Sequence, residues 1–200
     1  MKTTIFLLFL VQISVFSQYD EQVTERLNAY ADSVDNLIKN STGAPGDIFV
    51  STVNSIRNER AIGLQNTKIS YFYFQKEDSV IETDGEVNFI PLYAPPMAIL
   101  AEYNIAASQT VVVYYYIQGN NLLYRFISSG AYGYINRTFW INDQNLIKFE
   151  EKNSDVGSKH IIQTDKFSKE IYSNSILVMD HLRDHLKLYY DIIKVSGMDK

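Results

Sequence analysis

The sequence predicts an α+β domain: an N-terminal helix, a long antiparallel β-meander forming one curved sheet, and a C-terminal helix packed on that sheet. One observation is the crowding of β-branched and aromatic residues between residues 110 and 152, interrupted by turn residues at hairpin spacing. The other is that both ends of the chain repeat apolar residues at steps of three and four, which is typical of amphipathic helices. At 200 residues, the chain is long enough to bury a sizeable core.

Two hairpins of similar sequence form the centre of the predicted meander. Residues 110–118 and 122–127 are predicted strands, joined by Gly119-Asn120-Asn121, whose residues tolerate positive φ. Further along, residues 138–141 and 146–149 repeat the pattern of aromatic strand, polar turn and aliphatic strand. The repetition favours one continuous antiparallel sheet.

The remaining helices and strands are predicted from the periodicity of apolar residues and from proline and glycine, which interrupt regular secondary structure. Prolines in residues 89–97 indicate an edge crossing or an ordered loop, because proline donates no backbone hydrogen bond. We expect the two helices to cover the same concave face and to leave the other face polar and rich in tyrosine. The other predicted elements are a helix over 19–39, strands near 48–53, 68–75, 79–82, 98–106 and 160–163, and a helix over 173–194.

The first residues read as a targeting segment. Lys2 precedes the apolar run of residues 5–11, and residues 15–17 place small or medium-sized side chains where a signal peptidase recognises them. This is the pattern of a signal peptide that is cleaved after Ser17. A membrane span needs roughly 20 apolar residues, and here Gln12 and Ser14 interrupt the run. We therefore expect residues 1–17 to be removed and residues 18–200 to form a single domain, secreted or periplasmic, with no stable membrane anchor.

Composition excludes several classes of function. Cleavage would remove only one charge, Lys2, and lower the net charge from −5 to −6, which argues against a nucleic-acid partner. The chain has no cysteine, so disulfide scaffolds, thiol catalysis and thiolate metal sites are excluded. Neither a nucleophile elbow nor a phosphate-binding glycine loop is present. We expect no cofactor.

His181 and His185 form the strongest candidate for chemistry. They are four residues apart on the predicted C-terminal helix, the spacing of two zinc ligands on one helix face. A metalloprotease motif also requires glutamate after the first histidine, where this chain has Leu182. His160 could supply a third ligand. In the alternative interpretations, the histidines are buried and hydrogen-bonded to tyrosine hydroxyls or carbonyls of the sheet, or they line a pocket.

Aromatic and basic residues near the second hairpin suggest a binding surface. The loop of residues 128–134 contains two glycines together with Tyr132 and Tyr134, and Arg137 and Trp140 follow it. An arginine can stack on tyrosine or bind a carboxylate, and an exposed tryptophan can stack on sugars. In the alternative interpretation, the tyrosines lie on the sheet, Arg137 is solvated and Trp140 belongs to the core.

These patterns favour an exported binding or interaction protein over an enzyme. The ligand would be a protein, a glycan or a small molecule, held at the hairpin loops or in an aromatic groove between helix and sheet. Two alternatives remain at this point. One is a secreted metal-dependent hydrolase using His181 and His185, and the other is a carrier of a small apolar ligand between helix and sheet.

Overall fold

The computed structural model describes residues 2–42, 48–59, 63–83, 86–105, 109–130, 133–153 and 167–195. Its described part has two helices and nine strands, in the predicted order of helix, meander and helix. The elements are α1 (Lys2–Asn40), β1 (Phe49–Glu59), β2 (Gly63–Tyr73), β3 (Gln75–Thr83), β4 (Glu86–Tyr93), β5 (Ala98–Ile105), β6 (Gln109–Gln118), β7 (Asn121–Gly130), β8 (Gly133–Asn142), β9 (Asn145–Asn153) and α2 (Lys169–Val195).

Seven strands form one open antiparallel sheet in the order β1-β2-β5-β6-β7-β8-β9. The predicted fold class is confirmed, and so is the predicted strand at β5. The hairpin of β3 and β4 forms a separate two-stranded sheet, which lets β2 pair directly with β5. The proline-rich segment falls in β4 and in the connection after it, where Met97 N donates to Phe72 O. The predicted strand at 160–163 lies outside the described residues.

The two similar hairpins place equivalent residues on the same faces of the sheet. Tyr115 and Phe139 belong to one core cluster, whereas the residues that follow them, Tyr116 and Trp140, belong to the other. In the second turn, Asp143 and Gln144 have φ values of 47° and 68°, as a tight hairpin turn requires. The internal repeat read from the sequence is therefore a structural repeat.

A β-bulge distinguishes the second hairpin from the first. Trp140 pairs with Lys148 and Ile141 pairs with Leu146, so Ile147 is an extra residue in β9. Ile147 packs in the same cluster as Trp140, and Lys148 Nζ lies 4.6 Å from the centre of the indole. The bulge thus aims two consecutive side chains at one face.

The helices lie on opposite faces of the sheet, so the expectation that both cover one concave face is wrong. Tyr71 and its cross-strand neighbours pack with α2, whereas Phe72 and its neighbours pack with α1. Successive residues of a strand point to opposite faces, and here both faces are apolar. We call them the α2 face and the α1 face. The fold is a three-layer arrangement of helix, sheet and helix.

The α2 face carries the larger core cluster. From α2, Val178, Leu182 and Tyr189 are buried and spaced as one helical stripe. Tyr189 has no exposed surface, and its hydroxyl donates to Ala94 O at 2.9 Å. The predicted packing of the C-terminal helix on the sheet is confirmed.

The second half of α1 covers the other face. Val23, Leu27, Ala31 and Val34 are buried at steps of three and four. Tyr30 hydroxyl donates to Ile117 O at 2.8 Å, which ties the helix to the end of β6. The helix extends well before the predicted start at residue 19, through the segment interpreted as a signal peptide. Within the described chain, neither helix is both long and apolar enough to cross a membrane.

Candidate functional site

The structure separates the two candidate histidines. His181 is exposed, whereas His185 is partly buried and its ring meets Tyr115 edge-on, with centroids 5.3 Å apart and planes at 66°. Both lie on α2, but only His185 turns toward the sheet. The described residues contain no group of three or more histidine, aspartate or glutamate side chains that could hold a metal ion. His160, which would be the third ligand in the metal-dependent alternative, lies outside the described residues.

The candidates on β8 point alternately to the two faces. Tyr134 and Trp140 lie on the α1 face, and Arg137 lies on the α2 face, where its Nε donates to Glu151 Oε2 at 2.7 Å. Tyr134 lies within the strand rather than in a loop, and its hydroxyl accepts a hydrogen bond from Asn136 Nδ2 at 3.1 Å. Tyr132 lies outside the described residues. The structure therefore does not bring these candidates into one site.

Trp140 is part of the interface between α1 and the sheet. It is 3% exposed, and its Nε1 donates to Asn28 Oδ1 of α1 at 3.0 Å. The ammonium group of Lys148 lies over the same ring. An indole enclosed in this way has no face free to stack on a sugar, and it serves instead to join the layers.

Asp35, near the C-terminal end of α1, makes a charged contact with the sheet. Tyr116 hydroxyl donates to Asp35 Oδ1 at 2.7 Å, and Arg125 Nη1 lies 3.9 Å from Asp35 Oδ2. Arg125 also lies over the ring of Tyr116, with its guanidinium carbon 5.3 Å from the centroid. Burial, and secondly the bond to Asp35, raise the pKa of Tyr116, so the phenol stays protonated. This contact fixes the position of α1 on the sheet.

Four tyrosines form a tyrosine cluster on the α2 face: Tyr71, Tyr103, Tyr115 and Tyr124. Burial raises the pKa of Tyr71 and of Tyr124 to about 12 each, and it raises the pKa of Tyr115 further. The neighbouring phenol of Tyr103 contributes to each of these shifts. Within the described residues, Tyr71 Oη is buried and makes no hydrogen bond. The cluster favours the neutral phenols.

Alkaline titration should separate the tyrosines with raised pKa values, the tyrosine cluster and Tyr116 among them, from the exposed tyrosines. Because folding raises these pKa values above 10.0, the associated stability is present below pH 10 and is lost as pH rises through about 12. Tyrosinate absorbance should rise in two phases, the later one coinciding with loss of circular dichroism. In urea, all fifteen tyrosines should ionise in one phase. A single phase in the folded chain would contradict the buried cluster.

His185 should make stability fall at mildly acidic pH. Burial lowers its pKa from 6.5, His181 lowers it further, and Asp184 opposes both. The unfolded chain therefore binds more protons below about pH 7, and the free energy of unfolding decreases as pH falls through that window. Urea midpoints at several pH values measure this. His185→Phe should weaken the pH dependence, whereas His181→Ala should leave most of it, and equal slopes in all three proteins would refute the assignment.

The two edges of the seven-stranded sheet differ in chemistry. Among the described strands, β1 pairs with β2 alone and β9 pairs with β8 alone. The β9 edge has a bulge and four charged residues, Lys148, Glu150, Glu151 and Lys152. Charges and bulges protect edge strands from further pairing. In β1, by contrast, residues 50–56 carry no charge, proline or bulge.

Exposed apolar side chains concentrate beside the unprotected strand. Of the eleven large apolar side chains that are exposed in the described residues, five lie on β1, on β2 or directly after β2. Val50 is 52% exposed and Ile56 is 69% exposed, and both lie on the α1 face. We call the outward side of β1, together with the exposed side chains of Val50 and Ile56, the β1 edge. The other three of the five exposed apolar side chains are Phe49, Leu64 and Phe74.

The amino-acid pattern does not indicate this surface as a candidate site. The strand itself was predicted, but strand order is set by long-range pairing that local pattern does not report. The available signal was compositional: a run of β-branched and small polar residues in β1, against the charges of β9. No protein-family model matches the chain, and neither a curated protein nor a solved structure matches it significantly.

Proposed function

We propose that the chain is an exported, non-enzymatic interaction module that binds an extended protein segment at the β1 edge. The observation that supports this most directly is the outer edge of β1, which pairs with no strand among the described residues, carries no charge over residues 50–56 and has Val50 and Ile56 exposed beside it. An extended segment can add as a further strand, with main-chain hydrogen bonds giving affinity and side-chain contacts giving specificity.

The rest of the fold supports this use of the edge. Both faces of the sheet centre are packed under helices, so an additional strand extends a sheet that is already fixed. A rigid edge loses little conformational freedom on binding, which favours affinity. The signal-like segment of residues 1–17 supports export, to the periplasm or outside the cell, where the partner would be met.

Selection from a random-peptide display library tests the proposal. Peptides selected on the purified chain should alternate apolar and polar residues, and binding should slow amide exchange in β1. Ile56→Lys should weaken binding of these peptides at least tenfold, because it places a charge on the pairing surface. Leu177→Lys, a matched change at an exposed leucine of α2, should leave binding unchanged. Binding that survives Ile56→Lys, or that depends on Leu177, would overturn the proposal.

A further inference from the structure

We infer that a second copy of this chain occupies the β1 edge, with the two β1 strands antiparallel about a two-fold axis at Val53. This inference rests on the proposed function and names the partner. It would join two seven-stranded sheets into one continuous sheet of the dimer. Cyclic two-fold pairing uses the same surface on both copies, so that surface must be complementary to itself.

The faces of the sheet restrict the possible registers. Val53 packs against the α2 face core, whereas Val50 pairs with Phe72, which packs on the α1 face. In a continuous antiparallel sheet, directly opposed residues lie on the same face. The axis must therefore pass through a residue of β1 and not between two residues.

The exposed apolar side chains select Val53 among the central registers. With the axis at Val53, Val50 of each copy faces Ile56 of the other copy. The dimer then has two identical pairs of this kind, and all four exposed side chains are covered. With the axis at Asn54, Ile56 would face Thr52 and Val50 would face Asn58. Apolar and β-branched pairs are the favourable cross-strand contacts, so the first register is preferred.

Flanking residues extend the match. In this register, Phe49 of one copy faces Arg57 of the other, a pair suited to cation–π contact. Leu64 is exposed on β2, on the same face as Ile56 and diagonal to it, and it continues the apolar strip. Nine residues, 49–57, overlap between the copies.

Charge favours this edge for a contact between identical chains. The chain has a net charge of −5, so two copies repel each other over most orientations. Residues 50–56 are uncharged, and Arg57 meets an aromatic ring rather than another cation. At β9, four charged residues and a bulge disfavour the same pairing. The β1 edge is the one of the two edges at which copies can approach.

Sedimentation of the purified chain over a concentration series tests the inference. A nine-residue ribbon is a small interface, and we expect a dimer with Kd of roughly 10–100 μM. Val50→Lys and Ile56→Glu should each raise Kd at least tenfold. The double variant Val50→Lys/Ile56→Glu should restore dimerisation to within about threefold, because the ammonium of each copy then faces the carboxylate of the other. The restored dimer should weaken with salt.

A second double variant tests the register. Thr52→Lys/Ile56→Glu should not restore dimerisation, because these residues face each other only when the axis lies at Asn54. Restoration by this variant instead would overturn the Val53 register. Circular dichroism and Tm of each variant show that it is folded, as exposed positions should allow.

The outcomes separate this inference from the proposed function. A chain that stays monomeric at all concentrations but still selects peptides sensitive to Ile56→Lys overturns the dimer and leaves the proposed function standing. A dimer that is insensitive to Val50→Lys and Ile56→Glu uses another surface and overturns the inference. If the peptides are insensitive as well, both proposals fail.

Discussion

Replacing Tyr189 by alanine should lower the free energy of unfolding by about 3–5 kcal/mol, in the range of large-to-small changes at buried aromatics. Tyr189 has no exposed surface, and its ring lies 5.4 Å from that of Tyr71 and 5.3 Å from that of Tyr73. Its hydroxyl donates to Ala94 O, in the connection between β4 and β5. The change would remove contacts that join α2 to two parts of the chain at once.

Two variants separate the contributions of Tyr189. Tyr189→Phe keeps the ring and removes the hydrogen bond, and it should cost about 0.5–1.5 kcal/mol. Tyr190→Ala is the matched control, because Tyr190 is 44% exposed and should cost less than about 1 kcal/mol. Urea unfolding followed by circular dichroism measures all three. If Tyr189→Ala and Tyr190→Ala were equally destabilised, α2 would not pack on the sheet through the helical stripe that contains Tyr189.

The central hairpins could be predicted because their determinants are local. Turn residues at Gly119 and at Asp143 fix the ends of the strands, and the adjacent aromatic residues have strong strand preference. By contrast, the strand order, the separation of the β3–β4 hairpin from the main sheet and the identity of the two edge strands depend on contacts between distant segments. Local sequence pattern does not specify these contacts, so the structure was needed to show that β1 is an edge strand.

The wrong placement of the helices has a physical reason. Amphipathic periodicity shows which side of a helix is buried, but it does not show which side of the sheet receives it. The better signal lay in β6, where Val111, Val113 and Tyr115 face α2 and Tyr114 and Tyr116 face α1. A continuous apolar run is typical of a strand buried on both faces, whereas the prediction assumed that one face was polar.

The candidate residues failed to converge for the same reason. On β8, Arg137 and Trp140 are three positions apart and so point to opposite faces of the sheet. On α2, the apolar arc of the helical wheel included both histidines, but the stripe that meets the sheet is narrower. It includes His185 beside Tyr115 and leaves His181 in solvent.

Replacing Leu27 by alanine should destabilise the chain by about 2–5 kcal/mol. Leu27 has no exposed surface and belongs to the core cluster between α1 and the sheet, together with Leu123 and Trp140. The loss of its side chain would leave a cavity between rigid layers, which relax only in part. Leu37→Ala is the matched control on the same helix, because Leu37 is 44% exposed. Its cost should be within about 0.5 kcal/mol.

Trp140 provides a local readout of the same change. It is the only tryptophan in the sequence, it is 3% exposed, and it donates a hydrogen bond to Asn28, the residue after Leu27. Leu27→Ala should therefore shift its emission to longer wavelength and increase its quenching by acrylamide. Leu37→Ala should change neither property. Tyr189 lies on the α2 face, opposite Trp140. In the fraction of protein that remains folded, Tyr189→Ala should therefore perturb the Trp140 emission less than Leu27→Ala does. An equal response from both faces would mean that α1 does not cover Trp140, and the three-layer arrangement would then be wrong.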